Sequence, residues 1–371
     1  MRKLYKFKLD KKIVIPLLLF ICISIISIFS AQNMIGRSDL FIKQIIWFLI
    51  GFVVIYEIIK IQNVRIYKIA YILYILGNIS LILLLLFATP INNSKCWFTL
   101  FGIGTIQPSE FMKIILIITN AVIINKHNEN KDKRDYKLIL KIICITLIPS
   151  ILTFLQPDTG MVLIYFVISF TMLFISGIDI KWFIWFIIIL VGSLSTFLLV
   201  YFNNSDLFIE WFGTNFFYRI DRLLDWKNGV GMQLTNALAG IGSSGLIGFG
   251  FNNTPIYFPE PQTDFIFSVY ATNYGLIGCL LLIILIVYFD YNIINIGIKS
   301  KNKIDKYLVS GIIGMLLYQQ IQNIGMNIGL LPITGITLPF ISYGGSSLLS
   351  YMIIIGLLLN ISNTKKKLDL T

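Results

Sequence analysis

Charged residues are scarce in this sequence. Only 13% of its 371 residues are Asp, Glu, Lys or Arg, whereas 57% are hydrophobic and the mean hydropathy is +0.82. A soluble protein of this length needs a far more polar surface. The composition therefore excludes an ordinary soluble enzyme and indicates an integral membrane protein.

Histidine and cysteine are nearly absent as well. His127 is the single histidine, and the four cysteines have neither disulfide nor zinc-ligand spacing. The cysteines are best interpreted as small apolar filler. Any acid–base chemistry away from His127 must be carried out by carboxylates.

The apolar residues form long runs, ten of which approach the roughly 20 residues that a helix needs to cross a bilayer. These runs are residues 13–28, 41–59, 69–87, 111–124, 138–155, 161–178, 182–201, 265–289, 307–329 and 346–361. We predict an all-α polytopic membrane protein with about ten transmembrane helices. The sequence predicts a single domain over residues 1–371, with a long structured extracytoplasmic loop, 202–264, between the seventh and eighth spans.

The basic residues indicate how the chain is oriented. Of the 30 Lys and Arg residues, 23 lie at the termini or in alternate loops. The positive-inside rule then places both termini in the cytoplasm and excludes His127 from any outward-facing site, such as a Ser-His-Asp triad. The net charge of +12 reflects this orientation and an attraction to anionic lipid. It does not indicate nucleic-acid binding, because the basic residues are spread over several loops.

Residues 330–347 are the most informative segment. They lie between two apolar runs but contain two prolines, three glycines and five serines or threonines, including Ser342, Gly344 and Gly345. Irregular backbone at membrane depth must be buried in protein or line a wet cavity. The segment therefore indicates a polar ligand or a moving part, and the alternative is a plain turn between helices.

Asp264 directly precedes the eighth span and follows the polar residues Glu260, Gln262 and Thr263. Two interpretations are open. Asp264 can cap the helix, or it can be a partly buried carboxylate with a raised pKa that is suited to general-base chemistry.

Glu110 and Lys113 lie three residues apart at the start of the fourth span and share one helix face. They form either a structural ion pair or a pair in which Lys113 faces a cavity and meets an anionic group. Asp158 follows Pro157 in a tight turn and is either an Asx-turn residue or part of the site. Trp97 is either an interfacial belt residue or a ring that stacks on a sugar.

The long loop contains two further patterns. Apolar residues recur at helical spacing over residues 216–224, with Arg219 and Arg222 on the polar side, which predicts a short amphipathic helix in the headgroup layer. Residues 236–253 contain five glycines and predict a re-entrant or tightly packed loop.

These motifs together resemble those of the SEDS glycosyltransferases, the RodA, FtsW and SpoVE group. The matching motifs are SKCWF at 94–98, IQPSEFMK at 106–113, QPDTG at 156–160, AGIGSSGLIGFG at 239–250, PQTDFIF at 261–267 and NIGLLPITGITLPFISYGGSS at 327–347. The resemblance covers nearly the whole chain. It implies the SEDS fold and an enzyme of the plasma membrane that polymerises lipid II into peptidoglycan strands on the outer face.

The resemblance also implies roles for individual residues. Asp264 matches the family's essential aspartate, which would deprotonate or orient the acceptor 4-hydroxyl, with or without a bound metal. Glu110 and Lys113 match an important acid–base pair, and Trp97 and Asp158 match other motif positions. Lys113, Arg219, Arg222 or a metal would neutralise the leaving diphosphate. Divalent Mg²⁺ or Mn²⁺, a growing glycan strand and a class B penicillin-binding protein are the implied cofactors and partners.

The sequence departs from the family pattern at two places. Residues 93–96 read Asn-Ser-Lys-Cys where the family often has Gly-Ala-x-Arg, and residues 272–274 read Thr-Asn-Tyr where paired acids are common. Gln156 and the short tails favour the RodA branch over the division branch.

Two other functions compete with the polymerase. A flippase for lipid-linked precursors would also have ten spans and glycine-rich segments. It should carry charges deep in its spans, but Glu57 is the only acid that we find well inside a span. A non-catalytic scaffold that activates a penicillin-binding protein is the third hypothesis, and it predicts that Asp264 is dispensable.

Overall fold

The computed structural model describes residues 9–89, 95–100, 104–130, 134–214, 217 and 232–368. Within these residues the chain forms thirteen helices and one β-hairpin. The helices are α1 Lys11–Met34, α2 Leu40–Ile61, α3 Asn63–Lys68, α4 Ala70–Phe87, α5 Pro108–Glu129, α6 Asp135–Leu155, α7 Thr159–Ile175, α8 Ile180–Asn203, α9 Ser205–Phe212, α10 Met232–Ser243, α11 Ile266–Lys299, α12 Lys303–Asn327 and α13 Gly345–Leu368. The strands are β1 Phe98–Leu100 and β2 Gly104–Ile106.

Each of the ten predicted spans coincides with one helix, although the ends differ by several residues. Among the described residues, eight helices are long and apolar enough to cross a membrane: α1, α2, α4, α5, α6, α8, α11 and α13. Helix α7 is apolar but has only 17 residues. Helix α12 has 25 residues but is more polar than these spans. The structure thus confirms a helical membrane protein, and the count of ten spans stays a prediction.

Helix α12 is polar because most of its surface lies inside the bundle. Its amide side chains Gln319, Gln320, Gln322 and Asn323 are all buried. They donate to groups within the protein, for example from Gln322 Nε2 to the Pro332 carbonyl at 2.8 Å. Helices α5 and α13 share this central position, because 83% of the residues in the 18-residue apolar stretch of each helix are buried.

The β-hairpin departs from the all-α prediction. Strands β1 and β2 are antiparallel, with Phe98 opposite Ile106 and Thr99 opposite Thr105. This register brings the flanking residues Trp97 and Gln107 to the same end of the hairpin. The sequence does not predict it because each strand has only three residues.

Helix α11 is interrupted at Gly275, which has φ 62° and ψ −162°. The glycine-rich run at residues 236–253 provides hydrogen-bond partners for the backbone groups that this break leaves unpaired. The N–H groups of residues 249–250 donate to the carbonyls of residues 272–273, and those of residues 276–277 donate to the carbonyls of 245–246, all at 3.0 Å. The predicted tightly packed loop therefore lies beside the break in α11. Their paired backbone groups satisfy the rule that irregular backbone buried in a membrane protein must be hydrogen-bonded.

Replacing Gly248 by alanine is expected to lower the free energy of unfolding by about 1–3 kcal/mol. Gly248 has φ +75°, and a Cβ atom there would lie 2.3 Å from the Asn273 carbonyl oxygen. Thermal unfolding in detergent micelles measures the effect. Gly242→Ala is the matched control, because a Cβ atom at Gly242 meets nothing within 4 Å. Equal melting temperatures for the two variants would contradict this account.

Candidate active site

A cavity of about 560 Å³ opens at one end of the bundle. Its wall combines residues from the hairpin and the start of α5, from the α6–α7 turn, from residues 260–264 and from residues 334–347. Four carboxylates line it: Glu110, Asp158, Glu260 and Asp264. Among the described residues that line the cavity, none is Lys or Arg.

The carboxylate of Asp264 faces this cavity from a backbone held by α12. The Asp264 carbonyl accepts from Asn323 Nδ2 and from Asn327 Nδ2, each at 2.9 Å. The N-cap of α11 is Phe265, so Asp264 does not cap the helix. Burial, with a smaller contribution from the nearby charge of Glu260, raises the pKa of Asp264 to about 7. Of the two interpretations from the sequence, this environment favours a general base.

Residues 330–347 form the irregular segment that the sequence predicts, and they pack against the Asp264 loop. Ser342 does not line the cavity. Its hydroxyl accepts from Leu338 N–H at 2.8 Å and donates to the Thr263 carbonyl at 2.7 Å. Tyr343 N–H donates to the Gln262 carbonyl at 2.9 Å. Ser342 therefore positions the loop that carries Asp264.

Gly344 and Gly345 line the cavity where α13 begins. Gly345 lies against helix α2, and a Cβ atom there would come within 2.4 Å of the Trp47 ring. Gly160 makes a similar close approach, since its Cβ would lie 2.9 Å from the Thr334 carbonyl oxygen. These glycines allow the helix ends to converge around the cavity.

Asp158 both caps α7 and lines the cavity. Its Oδ1 accepts from Met161 N–H at 3.1 Å, and its Oδ2 accepts from Gln107 Nε2 at 2.8 Å. Burial and the nearby charge of Glu110 raise the pKa of Asp158 to about 6, although these hydrogen bonds offset part of the rise. The turn chemistry and the site role expected from the sequence are therefore compatible.

Glu110 lines the cavity, but Lys113 does not. Lys113 is fully buried, its Nζ lies 2.5 Å from Glu110 Oε2, and it sits 4.3 Å from the centre of the Tyr351 ring. This placement corrects the expectation that Lys113 faces the cavity. Its ammonium group instead balances the negative charge of Glu110 from the side of that carboxylate that faces away from the cavity.

Trp97 and Gln107 line the cavity from the same end of the hairpin. A Trp ring at the wall of a polar cavity is suited to packing on a sugar face. Arg219 and Arg222, with the predicted amphipathic helix, lie outside the described residues.

The first turns of three helices contribute to the cavity wall. These are α5 at Gln107–Glu110, α7 at Asp158–Met161 and α13 at Gly344–Ser347. Helix N-termini carry partial positive charge and unpaired N–H groups, so their convergence offsets part of the negative charge of the four carboxylates.

Several wall residues, notably Gln319, Tyr343 and Thr337, are not predicted from the sequence. The run of amides at Gln319–Asn323 inside an apolar span was the available signal. A second omission is Asp290. Because α11 extends to Lys299, Asp290 lies inside it, buried and 3.3 Å from Gln320 Nε2. Glu57 is therefore not the only acid inside a helix. Unlike Asp290, it is exposed near the end of α2.

A resident metal site does not fit the residues of this cavity. In the part of the chain that the structure describes, no three His, Cys, Asp or Glu side chains lie close enough together to hold a metal ion. Mg²⁺ in enzymes is frequently bound by one or two carboxylates together with substrate phosphates. Asp264 is a candidate ligand for such an ion.

The structure defines a polytopic membrane protein with an acidic site at one end of its helical bundle. The sequence profile of the FtsW, RodA and SpoVE family, described as cell cycle proteins, matches residues 5–367. A probable peptidoglycan glycosyltransferase FtsW from Wigglesworthia glossinidia brevipalpis is 34% identical over 362 residues, covering 92% of this chain and 90% of the relative. Stage V sporulation protein E of Bacillus subtilis is 33% identical over 284 residues, covering 73% of this chain and 72% of the relative.

Solved structures have the same fold. The rod shape determining protein RodA of Thermus thermophilus has a TM-score of 0.69 at 25% identity, covering 96% of this chain and 97% of RodA. A chain from a peptidoglycan synthase complex has a TM-score of 0.79 at 24% identity, covering 96% and 98%. The chain therefore belongs to the FtsW, RodA and SpoVE family. Both FtsW and RodA occur among these matches, so the preference for the RodA branch stays a prediction.

Proposed function

We propose that this protein is a peptidoglycan glycosyltransferase that polymerises lipid II into glycan strands, with the cavity as its active site. The observation that carries the proposal is Asp264, a partly buried carboxylate with a pKa of about 7 that lines a polar cavity. A general base works best when its pKa lies near the working pH.

In the proposed reaction, the acceptor 4-hydroxyl oxygen attacks the anomeric carbon of the donor sugar. The hydroxyl proton passes to the Asp264 carboxylate as the new carbon–oxygen bond forms. The bond from the anomeric carbon to the lipid diphosphate breaks on the opposite face, and the diphosphate leaves with the electron pair. The transfer therefore inverts the anomeric centre.

The remaining wall residues bind and orient the two sugars. Trp97 is suited to stacking on a pyranose, and Gln107 with Asp158 provides hydrogen-bonding groups. Negative charge that develops on the leaving group is stabilised by the helix N-termini and by cations outside the wall. Arg219 and Arg222 remain candidates for that role. The expected Mg²⁺ or Mn²⁺ stays a prediction on which no step above depends.

The cavity is proposed to open on the outer face of the bacterial plasma membrane, with both termini in the cytoplasm. Ser362, near the end of the chain, donates to the Asp10 carboxylate. Ser362 lies in α13 about 25 Å along the helix from Gly345 at the cavity. Asp10 and Ser362 thus lie at the opposite end of the bundle from the cavity. A class B penicillin-binding protein is the proposed partner.

Polymerisation of purified lipid II by the detergent-solubilised protein tests this function, with and without its class B partner and with Mg²⁺, Mn²⁺ or a chelator. Glycan strands that depend on Asp264 support the proposal. Transbilayer movement of lipid II without strand formation would favour the flippase. Stimulation of the partner without strand formation, unaffected by Asp264→Asn, would favour the scaffold.

We expect kcat/KM to fall as the pH drops through about 7. Asp264 must be ionised to accept a proton, and its pKa is raised to about 7. Its activity is therefore present above that pH and lost below it, whereas an ordinary Asp would stay ionised down to about pH 4. The measurement is the initial polymerisation rate at subsaturating lipid II from about pH 5 to about pH 9.

Glu260→Gln is the control that separates Asp264 from titration of the substrate. The charge of Glu260 contributes to the raised pKa of Asp264. Glutamine retains an oxygen that can accept from Thr263 Oγ1, as Glu260 does at 3.0 Å. In this variant, the fall in kcat/KM should occur at a lower pH. If it occurs at the same pH as in the parent, the titrating group is the substrate or another side chain.

A further inference from the structure

A cationic cluster lies beside the cavity at the start of α2. Arg37 donates from Nε and Nη2 to the two oxygens of Asp39 at 3.0 and 2.9 Å. Lys43 Nζ donates to Asp39 Oδ2 at 2.7 Å. The three side chains are 52%, 39% and 41% exposed in the order Arg37, Asp39, Lys43. The cluster carries a net charge of +1 and has surface available to a ligand.

Asp39 organises these cations instead of capping its helix. Asp39 occupies the N-cap position of α2, but its side chain makes no capping hydrogen bond. The Gln32 side chain performs that task, with Oε1 accepting from Phe41 N–H at 3.0 Å. One carboxylate thereby holds a guanidinium and an ammonium side by side, an arrangement suited to a ligand with adjacent anionic oxygens.

The cluster adjoins the cavity through Tyr343. Next to Lys43 in the sequence, Gln44 contacts the segment of Tyr343, with Nε2 3.4 Å from the Ser342 carbonyl oxygen. Trp47, one turn further along α2, packs on Gly345. Tyr343 itself lines the cavity. Its pKa is raised by burial, and the charges of Lys43, Asp39 and Arg37 also act on it.

The charge distribution explains why such a cluster is needed. The described wall carries four carboxylates and neither Lys nor Arg, and Lys113 lies behind Glu110. A diphosphate inside this wall would meet net negative charge. At the edge of the cavity near Tyr343, Arg37 and Lys43 are exposed cations that a diphosphate can reach.

We propose that Arg37 and Lys43, held by Asp39, bind the diphosphate of the lipid-linked substrate at the Tyr343 edge of the cavity. This inference rests on the proposed function, because it identifies a binding subsite for that substrate. It assigns the diphosphate to the α1–α2 connection, whereas the sequence analysis considered Lys113, Arg219 and Arg222. The sugar is then directed toward Asp264 while the lipid chain remains in the bilayer.

The test is binding of fluorescently labelled lipid II to the full-length protein in detergent, together with the KM and kcat of polymerisation. Arg37→Gln and Lys43→Gln should each raise the dissociation constant and KM by about 10-fold, as expected for a lost charge-assisted contact, with little change in kcat. Lys43→Arg should retain binding. Lys60→Gln is the matched control, since Lys60 lies at the other end of α2 in an exposed pair with Glu57.

Asp39→Asn separates a binding role from a structural one. It removes the charge that offsets the two cations, while the amide oxygen can still accept from Arg37 Nε, as Asp39 Oδ1 does at 3.0 Å. Lipid II should therefore bind as tightly as to the parent, or more tightly. If the cluster only fastens the loop to α2, Asp39→Asn should instead weaken binding as much as the cation variants do, and the proposal fails. Displacement of lipid II by phosphatidylglycerol as effectively as by unlabelled lipid II would also overturn it, in favour of a phospholipid headgroup site.

The binding measurement keeps this inference separate from the proposed function. Parent-like binding by Arg37→Gln and Lys43→Gln, with polymerisation that still needs Asp264, would overturn the subsite alone. Weakened binding in these variants combined with no polymerisation by the parent and its partner would support the subsite and overturn the polymerase.

Discussion

Replacing Asp264 by asparagine is expected to lower kcat for glycan polymerisation by about 10²- to 10⁴-fold, the range for losing a general base. Asparagine matches the shape of aspartate but cannot accept the proton of the attacking hydroxyl. The backbone position should survive, because Asn323 and Asn327 bind the Asp264 carbonyl rather than its side chain. The binding of lipid II should therefore change much less than kcat.

Glu57→Gln is the matched carboxylate control for this experiment. Glu57 is exposed near the far end of α2, where it pairs with Lys60 at 3.9 Å, so its neutralisation should leave kcat unchanged. Product strands from lipid II, resolved by length, provide the measurement. Equal rates for Asp264→Asn and the parent would remove Asp264 from the chemistry and would favour the scaffold hypothesis.

The sequence predicts the helices well because hydrocarbon imposes one simple rule on spanning segments. Long apolar runs must be helical to satisfy their backbone, and each of the ten runs is a helix. The rule gives less information about a helix surrounded by other helices. Helix α12 can carry buried amides such as Gln319 and Asn323, which lowers the hydropathy that a sequence-based prediction relies on.

Local breaks in structure depend on partners that are distant in the sequence. The run of glycines at 236–253 predicts close packing, but only the structure shows that it lies beside the break at Gly275. The strands β1 and β2 are too short to have a periodic pattern. Both features are set by tertiary contacts rather than by local propensity.

The site was predictable to the extent that its residues lie in recognisable motifs. Asp264, Asp158, Glu110 and Trp97 were all predicted from the sequence, and the structure brings them to one cavity. The motifs do not show which way each side chain points. Lys113 lies in the same motif as Glu110 but faces the interior, and the pairing of Arg37 with Asp39 has no sequence pattern that links it to Tyr343.

The Lys113–Glu110 pair gives the largest expected effect on stability. Lys113→Met should lower the free energy of unfolding by about 3–5 kcal/mol, because Glu110 would keep its charge with no buried partner. Lys113 has 0% side-chain exposure and Glu110 has 7%, so water does not reach Lys113 and reaches Glu110 only from the cavity. Reversible unfolding of the detergent-solubilised protein by increasing denaturing detergent gives the measurement.

The double variant Glu110→Gln/Lys113→Met determines whether this loss comes from an uncompensated charge. Neutralising both groups removes the buried charge, so most of the lost stability should return, as seen in general when a buried ion pair is replaced as a unit. If the double variant is as unstable as Lys113→Met, the loss arises from packing against Tyr351 rather than from charge. Because Glu110 lines the cavity and Lys113 does not, recovered stability without recovered polymerisation would assign the Glu110 carboxylate a direct role at the substrate.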